Sequence, residues 1–211
     1  NKMDRKGILL VVSGFSGAGK GTLMKELVSR YDNYALSISA TTRSPREGEV
    51  DGREYFFRTK EEFEQMIADE ALIEYACYVG NYYGTPRAYV EEQLALGRDV
   101  ILEIEIQGAL QIKKRFPDTL LLFVSTPDAE TLKNRLIGRG TESLDVVEKR
   151  LSRASEEAEG IENYDYFIIN DDLDTCVTQV HQIIQGEHSR VSRNLELINT
   201  IKKDISKFQK G

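Results

Sequence analysis

The sequence predicts an α/β fold: a three-layer core around a parallel sheet, a small mixed α/β lobe inserted into it, and a helical lid. Three observations point there. The aliphatic run Ile8-Leu9-Leu10-Val11-Val12-Ser13 feeds a glycine-rich turn and then a helical pattern, the strand–loop–helix order of a phosphate-binding loop. Later buried-strand patterns at 98–106, 119–125 and 166–170 alternate with helical segments, as a parallel sheet with crossover helices requires. Between them, residues 37–89 switch to short strands and turns rich in Tyr and Gly. The expected core is therefore 7–36, 90–135 and 165–211, the inserted lobe 37–89 and the lid 136–164.

The first element is the most informative. In Gly14-Phe15-Ser16-Gly17-Ala18-Gly19-Lys20-Gly21-Thr22, glycines let the backbone curl so that successive N–H groups point at one anion. The new helix adds its positive end, and Lys20 a mobile full charge. Leu23, Leu27 and Val28 then recur at helical spacing. Gly14, Ser16, Gly17, Ala18, Gly19, Lys20, Gly21 and Thr22 are thus expected to bind a nucleoside triphosphate. The residue after Lys20 is Gly21, where the strict pattern has a metal-binding hydroxyl, so Thr22 is left to bond a phosphate oxygen.

Residues 34–39 alternate as a strand, and a polar stretch with Arg43 and Arg46, punctuated by Pro45 and Gly48, follows. Residues 54–57 read as a strand and 60–69 as a helix with Phe63, Met66 and Ile67 on one face. Residues 72–79 form a further strand, with Gly80-Asn81 as a hairpin turn into 82–85. A helix over 87–96 leads to the strand 98–106, on which Glu103 and Glu105 face one side at the C-terminal end, where α/β sheets bind ligands. Two carboxylates there call for a cation, Mg²⁺ or an arginine. Asp128 caps a helix carrying Leu132 and Leu136, and Gly138-Arg139-Gly140-Thr141 breaks it. A charged helix from Asp145 to about Glu159 bears Arg150 and Arg153 on one face. Arginines between glycine hinges suggest a lid closing over phosphates.

Composition sets outer limits. A net charge of -7 argues against a nucleic-acid binder, and no apolar run reaches membrane-spanning length. Cys77 and Cys176 lack metal or redox spacing and read as buried free thiols of a cytoplasmic protein. His181 and His188, with no partner nearby in sequence, read as surface residues.

The loop, lobe and arginine-bearing lid, in this order, resemble the nucleoside monophosphate kinases, and the likeness to the guanylate kinase family spans nearly the whole chain. It is carried by Ser39-x-x-Thr42-Arg43-x-Pro45-Arg46-x-Gly48-Glu49-x-x-Gly52-x-x-Tyr55, by Gly80-Asn81-Tyr82-Tyr83-Gly84 and by Gly138-Arg139-Gly140-Thr141-Glu142. The resemblance implies transfer of the ATP γ-phosphoryl group to GMP, giving ADP and GDP, with Mg²⁺, in purine nucleotide metabolism and salvage. It implies that Arg43, Arg46, Tyr55 and Tyr83 hold the GMP phosphate. Ser39, Glu74 and Thr85 would read the guanine, with Glu105 in the same site. Arg135 and Asn170 would contact the adenine of ATP, and Arg139 and Arg150 the transferring group, with Lys20 and Arg43 also catalytic. Glu103 would face the metal, directly or through water. Many relatives carry Asp where this chain has Glu103 and Glu105, and Ser in place of Thr85. Arg153 has no counterpart.

The physics agrees with that expectation. A carboxylate at Glu74 can accept together from guanine N1–H and the 2-amino group, which adenine lacks. The acceptor phosphate, with a second pKa of about 6, is already ionised at neutral pH, so no general base is needed. Two other readings compete. A non-catalytic interaction module of the same fold is disfavoured by the intact loop and Lys20; a kinase for another small phosphorylated acceptor is disfavoured by the guanine-reading set.

Overall fold

The computed structural model describes residues 5–138, 140 and 142–209. Five strands, β1 (Leu9–Gly14), β2 (Tyr34–Leu36), β7 (Asp99–Glu103), β8 (Leu120–Ser125) and β9 (Tyr166–Ile169), form the main sheet. It is parallel throughout, in the order β2-β7-β1-β8-β9. The strands between β2 and β7 in the chain, β3 (Ala40–Thr41), β4 (Phe56–Phe57), β5 (Leu72–Tyr78) and β6 (Asn81–Pro86), form a second sheet in the order β4-β3-β6-β5.

Alternation along β1 explains the three layers. Leu10 and Val12 enter one core with Leu23, Leu27, Val177, Val180 and Ile184, from α1 (Lys20–Arg30) and α7 (Leu173–His188). Leu9 and Val11 enter another on the opposite face, with Val90, Ala109 and Ile112, which belong to α3 (Arg87–Ala95) and α4 (Ile106–Arg115). Every residue of β1 and β8 is buried, the pattern of a strand covered on both faces. β7 and β8 flank β1 on opposite sides, so the order of the sheet reverses there, and the loop after β1 opens at the switch point where ligands bind.

The smaller sheet has its own core: Ala40, Phe63 and Leu72, with Tyr82 stacked on Phe63 at 5.0 Å between ring centroids. Phe63 comes from α2 (Lys60–Ala68), started by a capping box between Thr59 and Glu62. This sheet is mixed: β3 pairs parallel with β4 and antiparallel with β6. A fourth cluster packs Leu132 and Leu136 of α5 (Ala129–Ile137) on Leu151 and Ala154 of α6 (Leu144–Glu157), with the loop residue Phe15 against it. The last helix, α8 (Leu195–Phe208), has no buried residue.

Several expectations shift. The strand from Tyr34 stops at Leu36, because the chain turns to the second sheet, where the Ser39 carbonyl accepts from the Phe56 N–H. The hairpin turns at Val79 and Gly80, both with positive φ (49° and 77°), so Asn81 already pairs with Tyr78. α6 starts from Ser143, whose hydroxyl accepts from the Val146 N–H. Cys176 is buried but Cys77, near the hairpin tip, is exposed. The histidines are half-buried and partnered. His188 Nε2 lies 2.8 Å from Asp99, which also accepts from the Ile8 N–H and the Asn33 amide. His181 stacks on Tyr31 and pairs with the Tyr34 hydroxyl at 2.7 Å. Burial pushes its pKa down, against the pull of Asp99.

Candidate active site

The loop after β1 is held from three sides. Phe15 donates its N–H to the Val124 carbonyl of β8 at 3.2 Å, and Arg135 reaches the Gly17 carbonyl from α5 at 3.3 Å. Asn170, 7% exposed at the end of β9, donates its amide to the Ala18 carbonyl at 2.8 Å. Gly17 and Gly19 have φ of 86° and 81°, and a Cβ on Gly19 would sit 2.7 Å from the Asn170 amide nitrogen. Only glycine meets both demands. Asn170, expected at the adenine, also braces the loop.

Lys20 opens α1 and turns its Nζ to the carbonyls of Gly14 (2.8 Å) and Phe15 (3.2 Å). Burial lowers its pKa, opposed by the negative charges of Glu103 and Glu157, while nearby Arg153 adds to the lowering. Gly21 and Thr22 are exposed on the first turn of α1.

Glu103 and Glu105 do not share a strand face. β7 ends at Glu103, which is exposed and in register with Val12 of β1. Glu105 is instead the N-cap of α4, accepting from the N–H groups of Gln107 (3.1 Å) and Gly108 (3.0 Å). The free donors and positive end of a helix start draw a carboxylate there, and that ends the strand. Among the described residues no cluster of three or more His, Cys, Asp or Glu could hold a metal. One exposed carboxylate beside a phosphate loop suits a hard cation carried in on phosphate oxygens, not one caged by protein.

Glu74 is the most perturbed acid of the second sheet. It is 6% exposed and accepts from the Thr85 hydroxyl at 2.8 Å. A register shift between Leu72 and Tyr75 in the β5–β6 pairing sets its aim, as bulges do. Its second oxygen lies 3.3 Å from where a Cβ on Gly108 would be, and Glu105 Oε1 lies 3.4 Å from the same point. Glycine there lets the two carboxylates approach the start of α4. Burial first, then the repulsion of Glu105, pushes the Glu74 pKa up to about 7 against the bond from Thr85.

The arginines are paired. Arg43 meets Glu49 in a two-pronged bond (2.8 and 3.1 Å) and lies 5.0 Å over the Tyr55 ring. The bonds from Arg43 and from the Arg46 N–H hold the Glu49 pKa down to about 2. Tyr55 and Tyr83 meet edge to face at 6.1 Å. The Arg46 side chain is exposed, and Ser39 is half-buried between β2 and β3. Arg150 binds Glu142 and the Leu136 carbonyl, whereas Arg153, three residues on, lies 5.5 Å over Tyr78. Arg139 lies outside the described residues.

Sequence reasoning missed Glu49, Glu142 and Glu157 as partners. The first two sit six and eight residues from their arginines, a spacing that a turn could have suggested. Glu157 binds Ser16 across 141 residues, and nothing local announces it.

The guanylate kinase family model matches residues 6–187. The chain belongs to the guanylate kinase family. It is 53% identical over 191 residues to the guanylate kinase of Bacillus anthracis, covering 90% of this chain and 93% of that protein. To the guanylate kinase of Streptococcus thermophilus (strain CNRZ 1066) it is 51% identical over 192 residues, covering 90% and 92%. The crystal structure of guanylate kinase from Anaplasma phagocytophilum superimposes with a TM-score of 0.74 at 29% identity, covering 92% of each chain. The family-model match thus covers both sheets and α6, and it stops before α8.

Proposed function

We propose that the chain transfers the γ-phosphoryl group of ATP to GMP, yielding ADP and GDP, in the cytoplasm. The observation that carries the acceptor's identity is Glu74. A carboxylate this buried, with one hydroxyl donor at 2.8 Å, gains most from a ligand that brings its own donors. Guanine offers two adjacent ones, N1–H and the 2-amino group. Adenine would leave the carboxylate partly unpaired, at a cost that sites of this type convert into discrimination of roughly 10⁴. Ser39 and Thr85 complete the base site, with Glu105 beside it. Arg43, Arg46, Tyr55 and Tyr83 take the acceptor phosphate.

On the donor side, the loop amides and Lys20 take the ATP phosphates, with Arg135 and Asn170 toward the adenine. Glu103 and the phosphates would hold Mg²⁺, which supplies neutralisation of charge on the phosphoryl oxygens. The remaining steps belong to the chain's own groups. Arg43 and Arg46 offset repulsion between the acceptor's anion and ATP, with forked donors that a lysine lacks. Lys20, Arg139 and Arg150 stabilise charge on the group in flight. No base abstracts a proton, because the attacking oxygen is already ionised.

ADP formation from Mg·ATP with GMP, AMP, CMP, UMP or no acceptor tests the reading. Turnover with GMP far above the rest is the expected result. ATP consumption without base selectivity would remove the guanine pocket, and a folded protein that binds GMP but never turns over would be a binding module.

A further inference from the structure

A phosphate loop offers an anion its backbone N–H groups and its hydroxyl. Here one such set already has an acceptor. Ser16 donates its N–H to Glu157 Oε2 at 3.3 Å and its hydroxyl to the two carboxylate oxygens at 3.2 and 3.4 Å. Glu157 is the last residue of α6, the helix that also carries Arg150 and Arg153. Its charge reaches Lys20, whose own ammonium is turned to the Gly14 and Phe15 carbonyls. The carboxylate thus takes, from a neutral serine, the bonds that the same serine would offer a phosphate.

We propose that Glu157 is an internal competitor for the phosphates of the donor nucleotide, so that ATP must expel it from Ser16 and thereby shift the end of α6. The inference rests on the reading that this loop takes the phosphates of ATP. One N–H cannot serve two acceptors at full strength, and two anions against the same amide repel. Helix geometry gives the displacement a direction. Arg153 lies one turn before Glu157, on the same side of α6, and sits 5.5 Å over Tyr78 at the end of β5. Expelling Glu157 therefore acts on one end of the helix that bridges the loop and, through Arg153, the second sheet. A purely structural contact needs no charge here: a glutamine would still accept from Ser16 through its amide oxygen, more weakly, and would not repel phosphate. Charge at position 157 is what the proposal turns on.

The test is direct binding of Mg·ATP and of inorganic tripolyphosphate, by calorimetry without GMP, to the wild type and to Glu157→Gln. The variant should bind both probes about three- to tenfold tighter, the scale of one charge-assisted contact at a partly exposed site. In steady state its KM for ATP should fall while its KM for GMP holds. Unchanged or weaker binding of both probes by a variant that melts like the wild type would overturn the proposal. Should Glu157→Gln fail to fold, Glu157→Asp, which withdraws the charge by one methylene, must shift binding in the same direction or the proposal falls. A wild type that binds neither probe would overturn the reading of the loop itself and this inference with it; one that binds both with no effect of the substitution overturns this inference alone.

Discussion

On the proposed donor side of the site, the groups of the loop that would meet phosphate are backbone amides and one ammonium, all between Gly14 and Thr22. On the proposed acceptor side they would be side chains drawn from β5, β6 and the segment around Arg43, tens of residues apart. The two sides also store charge differently. Lys20 lies against neutral carbonyls and is held by burial below its ordinary pKa. Arg43 lies against a carboxylate that keeps it charged, and Glu74 is an acid that burial pushes toward neutrality. On this reading a phosphate would claim Lys20 from neutral carbonyls, with Glu157 competing at Ser16, whereas the acceptor would have to exchange partners with Arg43 and settle the protonation of Glu74. The donor side should accordingly be blunt and indispensable, and the acceptor side selective and sensitive to pH.

The largest expected effect tests the blunt side. Lys20→Met should reduce kcat by about 10³-fold, the scale of removing one preorganised charge from the transferring group. Its melting temperature should not fall, since a half-buried ammonium is lost with its desolvation cost. A variant that keeps more than a tenth of wild-type kcat would put the donor site elsewhere.

Glu74→Gln comes next and should split into two opposite results. The kcat/KM for GMP should fall by roughly 10²-fold, from loss of one charged acceptor for two donors, and measured turnover with AMP should not fall with it. Stability should move the other way. The folded pKa of Glu74, about 7, is raised above the ordinary carboxylate value of 4.5. Its contribution is therefore fully present below pH 4.5 and is lost as pH rises through 7. The glutamine variant should match the wild type in acid and exceed it at pH 8 by about 1–3 kcal/mol, on the order of two pKa units of linkage. Denaturant melts at both pH values decide this, and an advantage that does not grow with pH would mean that the folded protein leaves the Glu74 pKa at its ordinary value.

This contrast explains what the sequence made legible. A phosphate loop is a local backbone conformation, so glycine spacing beside an aliphatic strand is enough to find it, and the sheet follows from the same runs. The acceptor residues rest on resemblance, because nothing within a few positions of Glu74 signals that it faces Thr85. That meeting depends on the register shift in β5, and no period-two pattern encodes one. Glu105 misled for a related reason. Read as part of a strand it shares a face with Glu103, but the N–H groups of α4 claim it as a cap, and a helix start outcompetes a strand end for a carboxylate. His188 looked solitary because its partner, Asp99, lies 89 residues away. Contacts at that separation are set by the order of strands.

A finer effect concerns the proton itself. If guanine binds ionised Glu74, a pocket acid with pKa near 7 should release about half a proton per GMP bound at pH 7 and almost none at pH 9. Calorimetry in two buffers of different ionisation enthalpy measures that number. A value of zero at pH 7 would assign the recognition of guanine to other groups.

The smallest effect separates Glu74 from the other acceptor-side carboxylate. Glu49 holds Arg43 through two bonds and has its pKa drawn down to about 2, so it stays ionised across the whole range in which Glu74 titrates. Glu49→Gln should loosen Arg43 without supplying or removing any proton near neutrality. Its KM for GMP should change by only about two- to threefold, because the neutral glutamine can still accept from Arg43 and the guanidinium still has the Tyr55 ring beneath it at 5.0 Å. The midpoint of the pH dependence of GMP binding should stay where the wild type has it, near 7. A midpoint that moves with Glu49→Gln would mean that the two carboxylates titrate as one system, and that the arginine segment, not the pocket alone, sets how this site responds to pH.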